Sequence, residues 1–294
     1  MSRRLQGALC LFTAAAIWGG MYVVSKAVLA YIPPLTLLAL RLAIGGLVLL
    51  AVIRALGTPW AGRAHRAEMA LLGFVGFGVS LAAQFIGTRL STAAHGAVLT
   101  SVTPAFILVF AAVWLGERLT GRKAAAVALA TGGALLVIEQ PGGFALEARA
   151  FWGDVLLLAA GVSWALYTVL SRRAARRNPP VVTTAAATLW GLLFLLPWLP
   201  LELRDWTWTP LPGAVWWGVL YLGVVSTALA FWLWNTGFTL LQAGTGSLFF
   251  FAQPVVGAVL GWLLLGERLG GRFLAGSLIL VAGGILAVRA ERKT

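Results

Sequence analysis

The sequence predicts an all-α integral membrane protein: ten transmembrane helices, arranged as two inverted five-helix repeats around a central cavity. Three observations carry that expectation. Hydrophobic residues make up 60% of the chain and charged residues only 11%, with a mean hydropathy of +0.91; soluble domains carry about 25% charged residues. Ionisable residues gather in short segments between apolar runs close to the roughly 20 residues that a spanning helix needs. The chain also repeats itself. Leu115-Gly116-Glu117-Arg118-Leu119 returns 150 positions later as Leu265-Gly266-Glu267-Arg268-Leu269, with Pro104 on Pro254, Gly121-Arg122 on Gly271-Arg272 and Gly133 on Gly283. Upstream the offset is 146, with Gly7 on Gly153, Trp18 on Trp164, Pro33-Pro34 on Pro179-Pro180 and Gly45 on Gly191. Residues 1–145 and 146–294 therefore read as two homologous halves of one membrane domain. In an apolar chain such duplication marks a carrier built from internal repeats.

Hydropathy and turn signals place the helices at 6–29, 35–54, 68–88, 93–115, 122–139, 151–171, 182–201, 213–236, 243–265 and 272–289. The first imitates a signal peptide, with Arg3-Arg4, an apolar run and Ala14-Ala15-Ala16. The apolar run continues to Ala30, however, and Gly7 and Trp18 belong to the repeat, so it reads as a spanning helix rather than a removed leader. The third is studded with Gly73, Gly76 and Gly78, and the ninth carries the GxxxG step Gly257/Gly261; small residues let membrane helices approach closely. The fifth is short and Ala-rich, and its clearer counterpart in the second half supports it.

The net charge of +13 lies in short turns beside the apolar runs, where positive-inside orientation explains it better than nucleic-acid binding. With both termini in the cytoplasm, 15 of the 22 Lys and Arg fall on the inner side. Five crossings per half turn the second half upside down, so Arg118 lies inside and its mate Arg268 outside. That outer arginine strains the positive-inside rule, and eight or nine spans are the competing topology. Lone Cys10 excludes an internal disulfide or cysteine metal cage. No HExxH, G-x-S-x-G, P-loop or paired carboxylate occurs, so no catalytic residue, metal site or cofactor is expected. None of the nine acidic residues is expected in mid-membrane. Proton-driven efflux of organic cations, which trades a proton for the drug on a buried carboxylate, is accordingly disfavoured.

Ile17-Trp18-Gly19-Gly20, Ser25-Lys26, Pro33-Pro34, Leu40-Arg41 and the doubled Pro-to-Gly-Glu-Arg-Leu-to-Gly-Gly pattern together resemble the EamA-type branch of the drug/metabolite transporter superfamily, over essentially the whole chain. The resemblance implies a bacterial inner-membrane carrier, with a cavity surrounded mainly by the third, fourth, eighth and ninth helices and helped by the first and sixth. It implies small metabolites as cargo, often amino acids and commonly outward. Some relatives carry sugar phosphates or nucleotide sugars.

The polar residues of these helices are the candidate substrate ligands. Gln84, Thr100 and Thr103 come from the first half, Asn235 and Gln253 from the second, with Ser101, Ser226, Thr227, Gln242 and Ser247 beside them. Amides are harder to satisfy within one helix than hydroxyls, which ranks Gln84, Asn235 and Gln253 first. Arg41, inside its helix, attracts a carboxylate or phosphate or else caps a neighbouring helix; Lys26 does the same or snorkels to the outer interface. His95 couples a proton or merely bonds a neighbour. Trp18, Tyr22 and Trp164 form an aromatic wall for the substrate or fill the pseudo-symmetric interface. Pro104 and Pro254 each free a carbonyl, for a ligand or as a hinge. The expectation is thus a carrier in the lipid bilayer, exporting or exchanging small neutral-to-anionic metabolites by alternating access. A proton is the alternative to facilitated diffusion, and the protein is a monomer or homodimer. Carriage of phosphorylated sugars, or a non-transporting sensor or scaffold, is the alternative function.

Overall fold

A computed structural model describes residues 3–60, 65–115, 120–138, 144–174, 177–204, 206–207, 210–241 and 248–291, and among them every regular element is helical. The candidates Gln242 and Ser247, and Gly116 to Leu119 of the repeated motif, lie outside the described residues. We number the helices α1 (Arg3–Val28), α2 (Pro34–Ala55), α3 (Arg66–Leu90) and α4 (Ala93–Leu99, a 3-10 turn Thr100–Val102, then Thr103–Leu115). There follow α5 (Gly121–Ile138), α6 (Phe144–Ala174), α7 (Pro180–Leu203) and α8 (Gly213–Leu240). α9 is a 3-10 turn Leu248–Phe251 continued by Ala252–Leu265, and α10 is Gly271–Glu291. Seven of these, α1 to α4 and α6 to α8, are long and apolar enough to cross a membrane; α5, α9 and α10 contain shorter apolar stretches. Among the large side chains left outward are Trp217 at 73%, Leu278 at 71% and Leu264 at 68% exposure. Water would penalise that surface; lipid does not.

Proline sets two helix starts. Pro34 and Pro180, repeat mates, occupy the first turns of α2 and α7, where no backbone N–H is needed. Pro104 and Pro254 lie in the first turn after the 3-10 segments of α4 and α9. The missing N–H therefore falls where the backbone already changes pitch. The carbonyl four residues before Pro104 is re-satisfied by the Thr103 hydroxyl, 2.8 Å from Thr100 O. α3 and α8 each contain a π-helical stretch, Gly73–Ser80 and Tyr221–Leu229, at matching places in the two halves.

Packing is reciprocal between the halves. α1 packs on α8 and α9, as α6 packs on α3 and α4; α2 meets α8 as α7 meets α3; and α5 pairs with α10. Glycines make the closest approaches. A Cβ on Gly237 of α8 would lie 2.5 Å from Leu11 and 3.2 Å from Gly7 O of α1; one on Gly87 of α3 would lie 2.8 Å from Gly153 O of α6. These are mates across the two offsets, so the same backbone-to-backbone contact is built twice. Gly257 places α9 against α4, where a Cβ would lie 2.3 Å from that of Ala97.

Candidate functional site

A cavity of about 30 Å³ lies among α1, α2, α3, α4, α6, α8 and α9. That is about the size of one water molecule. Its polar lining comes mostly from the first half. That half presents Tyr22, Arg41, Ser80, Gln84, Thr100 and Thr103 beside the apolar Trp18, Met21 and Leu81, and the second presents Ala160, Trp164, Phe231 and Phe250, with Gln253 as its polar contribution. The cause is in the repeat: Gln84 corresponds to Trp234, Thr100 to Phe250 and Arg41 to Ala187. Duplicated backbones carry different chemistry on facing walls.

Arg41 is fully buried. Its Nε donates to Thr227 Oγ1 at 2.6 Å and its Nη2 to Ser226 O and Oγ at 3.3 and 3.2 Å, while Nη1 has only the Met21 sulfur, at 3.0 Å. Ser226 and Thr227 lie in the π-helical stretch of α8, whose wider turn presents the Ser226 carbonyl to Arg41 and, at 3.1 Å, to Trp18 Nε1. Phe85 and Phe231 face the guanidinium at 5.3 and 5.7 Å, a cation–π arrangement. No carboxylate contacts it among the described residues. A buried cation of this kind is held by dipoles alone, and a thioether is a weak acceptor.

Four predicted ligands form one hydrogen-bond chain. Thr100 Oγ1 donates to Gly96 O at 2.7 Å, accepts from Gln253 Nε2 at 2.7 Å and lies 2.7 Å from the Tyr22 hydroxyl, which pairs in turn with Gln84 Nε2. Thr103 bridges to Gly161 O of α6 at 2.9 Å. Trp18 packs edge-on against Trp164 at 5.8 Å and tilted against Phe231 and Trp234 at 5.1 and 5.0 Å, while Trp164 stacks on Phe231 and Tyr167. The structure thus brings Trp18, Tyr22, Arg41, Gln84, Thr100, Thr103, Trp164 and Gln253 to one cavity, and Pro104 and Pro254 directly follow Thr103 and Gln253.

Asn235 and His95 are placed elsewhere. Asn235 donates to Thr184 Oγ1 of α7 at 2.6 Å. His95, at the start of α4, has Nδ1 2.8 Å from Asp154 Oδ2 of α6 and stacks on Phe273 of α10. Asp154 is 1% exposed and also accepts from Ser91. Around this pair the same end of the bundle is tied by charge. Lys26 Nζ donates to the Thr88 and Arg89 carbonyls at 3.0 and 3.1 Å and to Ser91 O, capping α3; Arg89 donates to Leu29 O at 2.7 Å, capping α1. Glu267 accepts from Ala93 N and Ala94 N at 2.7 and 2.8 Å, capping α4. Each charge has the sign that its helix end favours. Lys26 therefore serves helix ends, not the cavity. Sequence reasoning did not single out Asp154 or Glu267, each of which acts on residues more than fifty positions away. The available hint was an acid one residue after Gly153 in an otherwise apolar run, and a second copy of Gly-Glu-Arg-Leu.

An all-helical, multi-pass membrane protein with reciprocal halves and a polarised central cavity belongs to the class of membrane transporters. More particularly, this chain belongs to the EamA-like transporter family, whose model matches residues 5–139 and 151–289. It is 28% identical to an uncharacterized transporter of Archaeoglobus fulgidus, covering 96% of this chain and 98% of that one. It is 26% identical to the uncharacterized transporter YetK of Bacillus subtilis, covering 91% and 82%. A Streptantibioticus cattleyicolor protein named "Probable terminal-alkyne amino-acid exporter" is 29% identical over 67% of this chain and 64% of its own. One crystal structure of a protein matches with a TM-score of 0.70 at 25% identity, covering 98% of this chain and 97% of that one.

Proposed function

We propose that this transporter exports or exchanges small amphipathic metabolites bearing one carboxylate, amino acids foremost, by alternating access. The observation that carries the reading is Arg41: a fully buried guanidinium on a cavity wall, with no carboxylate partner among the described residues and one nitrogen facing only a thioether. A substrate carboxylate there supplies the missing charge and a bidentate acceptor. The aromatic residues that share the cavity take the apolar body, and cation–π contact with Trp18 or Trp164 accommodates an ammonium. One guanidinium fits one carboxylate better than a phosphate dianion, which places sugar phosphates second. The Streptantibioticus relative's name points the same way.

The reciprocal packing and doubled glycine contacts support two five-helix halves inserted in opposite senses, ten spans in all, with both termini cytoplasmic in a bacterial inner membrane. The halves rock about the cavity, so the site opens to each side in turn. In that orientation the ties from Lys26, Arg89, Asp154 and Glu267 close the outer end. Counterflow of labelled amino acids into proteoliposomes tests the reading. Wild type accumulates label and Arg41→Gln loses it by about tenfold or more, the equivalent of one charged hydrogen bond at ~1.5–3 kcal/mol. Unimpaired flux through Arg41→Gln, or no flux across the whole panel, would contradict it.

A further inference from the structure

In this side-chain arrangement the hydrogen-bond chain across the cavity runs in one direction, which leaves a mark on the site. The Thr100 hydroxyl donates its single proton to the Gly96 carbonyl, 2.7 Å away, which also accepts from Thr100 N. Gln253 Nε2 donates to the same Thr100 oxygen at 2.7 Å, and the neighbouring Ala97 carbonyl at 3.4 Å holds that amide nitrogen-inward. With that proton spent and Gln84 Nε2 donating to Tyr22, the Tyr22 hydroxyl gives its own proton to Thr100, 2.7 Å away. Having spent it, the Tyr22 oxygen is left as an acceptor toward Gln84. Gln84 answers with its Nε2, and its carbonyl oxygen ends the chain, buried and without a partner among the described residues. A buried unpaired acceptor is expensive to keep and needs a donor from elsewhere.

Gln84 and Arg41 line the same cavity. We propose that the Gln84 carbonyl is the subsite for a hydrogen-bond donor adjacent to the substrate carboxylate, and that Tyr22 is a positioning residue that fixes its orientation. The site then takes 2-amino and 2-hydroxy carboxylates with an apolar or aromatic body. It rejects the matching 2-oxo acids, whose carbonyl would face the carbonyl of Gln84. Occupancy completes a line of hydrogen bonds from α3 through α1 to α4, and such lines strengthen cooperatively.

This inference rests on the monocarboxylate reading above, and one experiment separates the two. Purified protein is assayed for binding of phenylalanine, 3-phenyllactate and phenylpyruvate, which share a body and differ at the second carbon. Wild type is expected to favour the first two over phenylpyruvate by about tenfold or more, since a site built for one donor discriminates strongly against its absence. In Tyr22→Phe the amide of Gln84 is free to turn its nitrogen inward, and the preference falls to within about threefold through gained phenylpyruvate affinity. Thr100→Val, which breaks the chain one step further away, is the second variant and shifts the ratio the same way; monodispersity in detergent checks that both fold. Binding of all three with an unchanged ratio in both variants overturns the inference and leaves the monocarboxylate reading standing. Binding of none overturns both.

Discussion

Arg41 sets the chemistry of the cavity, and its neighbours show why a cation survives there. Three hydrogen bonds from α8 and two aromatic faces hold it in place. Arg41→Lys keeps the charge but loses the planar fork, so carboxylate affinity should fall several-fold in binding assays, less than for Arg41→Gln. Equal affinities for the two variants would mean that Arg41 does not meet the substrate. Trp18→Ala removes the ring at the centre of the aromatic cluster. Its loss should destabilise the protein by about 3–5 kcal/mol, read as a lower melting temperature in detergent. Much of this cluster was readable before the fold. Trp18 and Trp164 stand out as repeat mates with Tyr22 one turn beyond Trp18, and Gln84, Thr100, Thr103 and Gln253 as polar groups where hydrocarbon tolerates few. Asn235 shows the limit: its amide type was informative, but which face of α8 it occupies depends on helix rotation, and it meets Thr184 instead. The pairing of His95 with Asp154 spans 59 positions, and one sequence carries no signal for it.

At the level of elements, α4 is held from several sides. Glu267 caps its first two amides, Asp154 holds His95, Gln253 and Tyr22 hold Thr100, and Gly257 of α9 lies against Ala97. Gly257→Val would drive a side chain into Ala97 where a Cβ alone comes to 2.3 Å, and should cost about 1–3 kcal/mol in thermal unfolding. Glu267→Gln keeps the shape of the cap but loses its charge, so the tie at this end should weaken by ~0.5–1 kcal/mol. A cysteine replacing Ala94, in a Cys10→Ser background, should then react faster with an impermeant thiol reagent than it does with Glu267 intact. An unchanged rate would show that the contact does not hold this end closed. Helix existence followed from hydropathy, and the matched prolines Pro104 and Pro254, read as carbonyl-freeing or hinge positions, lie just after the 3-10 turns of α4 and α9. The π-helical stretches in α3 and α8 did not show in the sequence, because an i→i+5 turn arises from tertiary packing rather than composition.

For the whole molecule, the proposed cycle has duplication supply symmetric motion and divergence supply selectivity. The glycine contacts that set helix spacing are copied in both halves, while the cavity residues are not: Gln84 against Trp234, Arg41 against Ala187. In the cycle proposed above, rocking two similar halves about an asymmetric lining would move one kind of amphipathic cargo. That scheme requires the halves to enter the membrane from opposite sides, and Gly121 and Gly271 report on it directly. They are repeat mates at the starts of α5 and α10, and at each a Cβ would meet nothing within 4 Å. Single cysteines at these positions, in a Cys10→Ser background, are to be labelled in sealed right-side-out vesicles with an impermeant maleimide. The account predicts that Gly271→Cys labels from outside and Gly121→Cys only after permeabilisation. Labelling of both from the same side would contradict opposed insertion and the alternating-access cycle built on it.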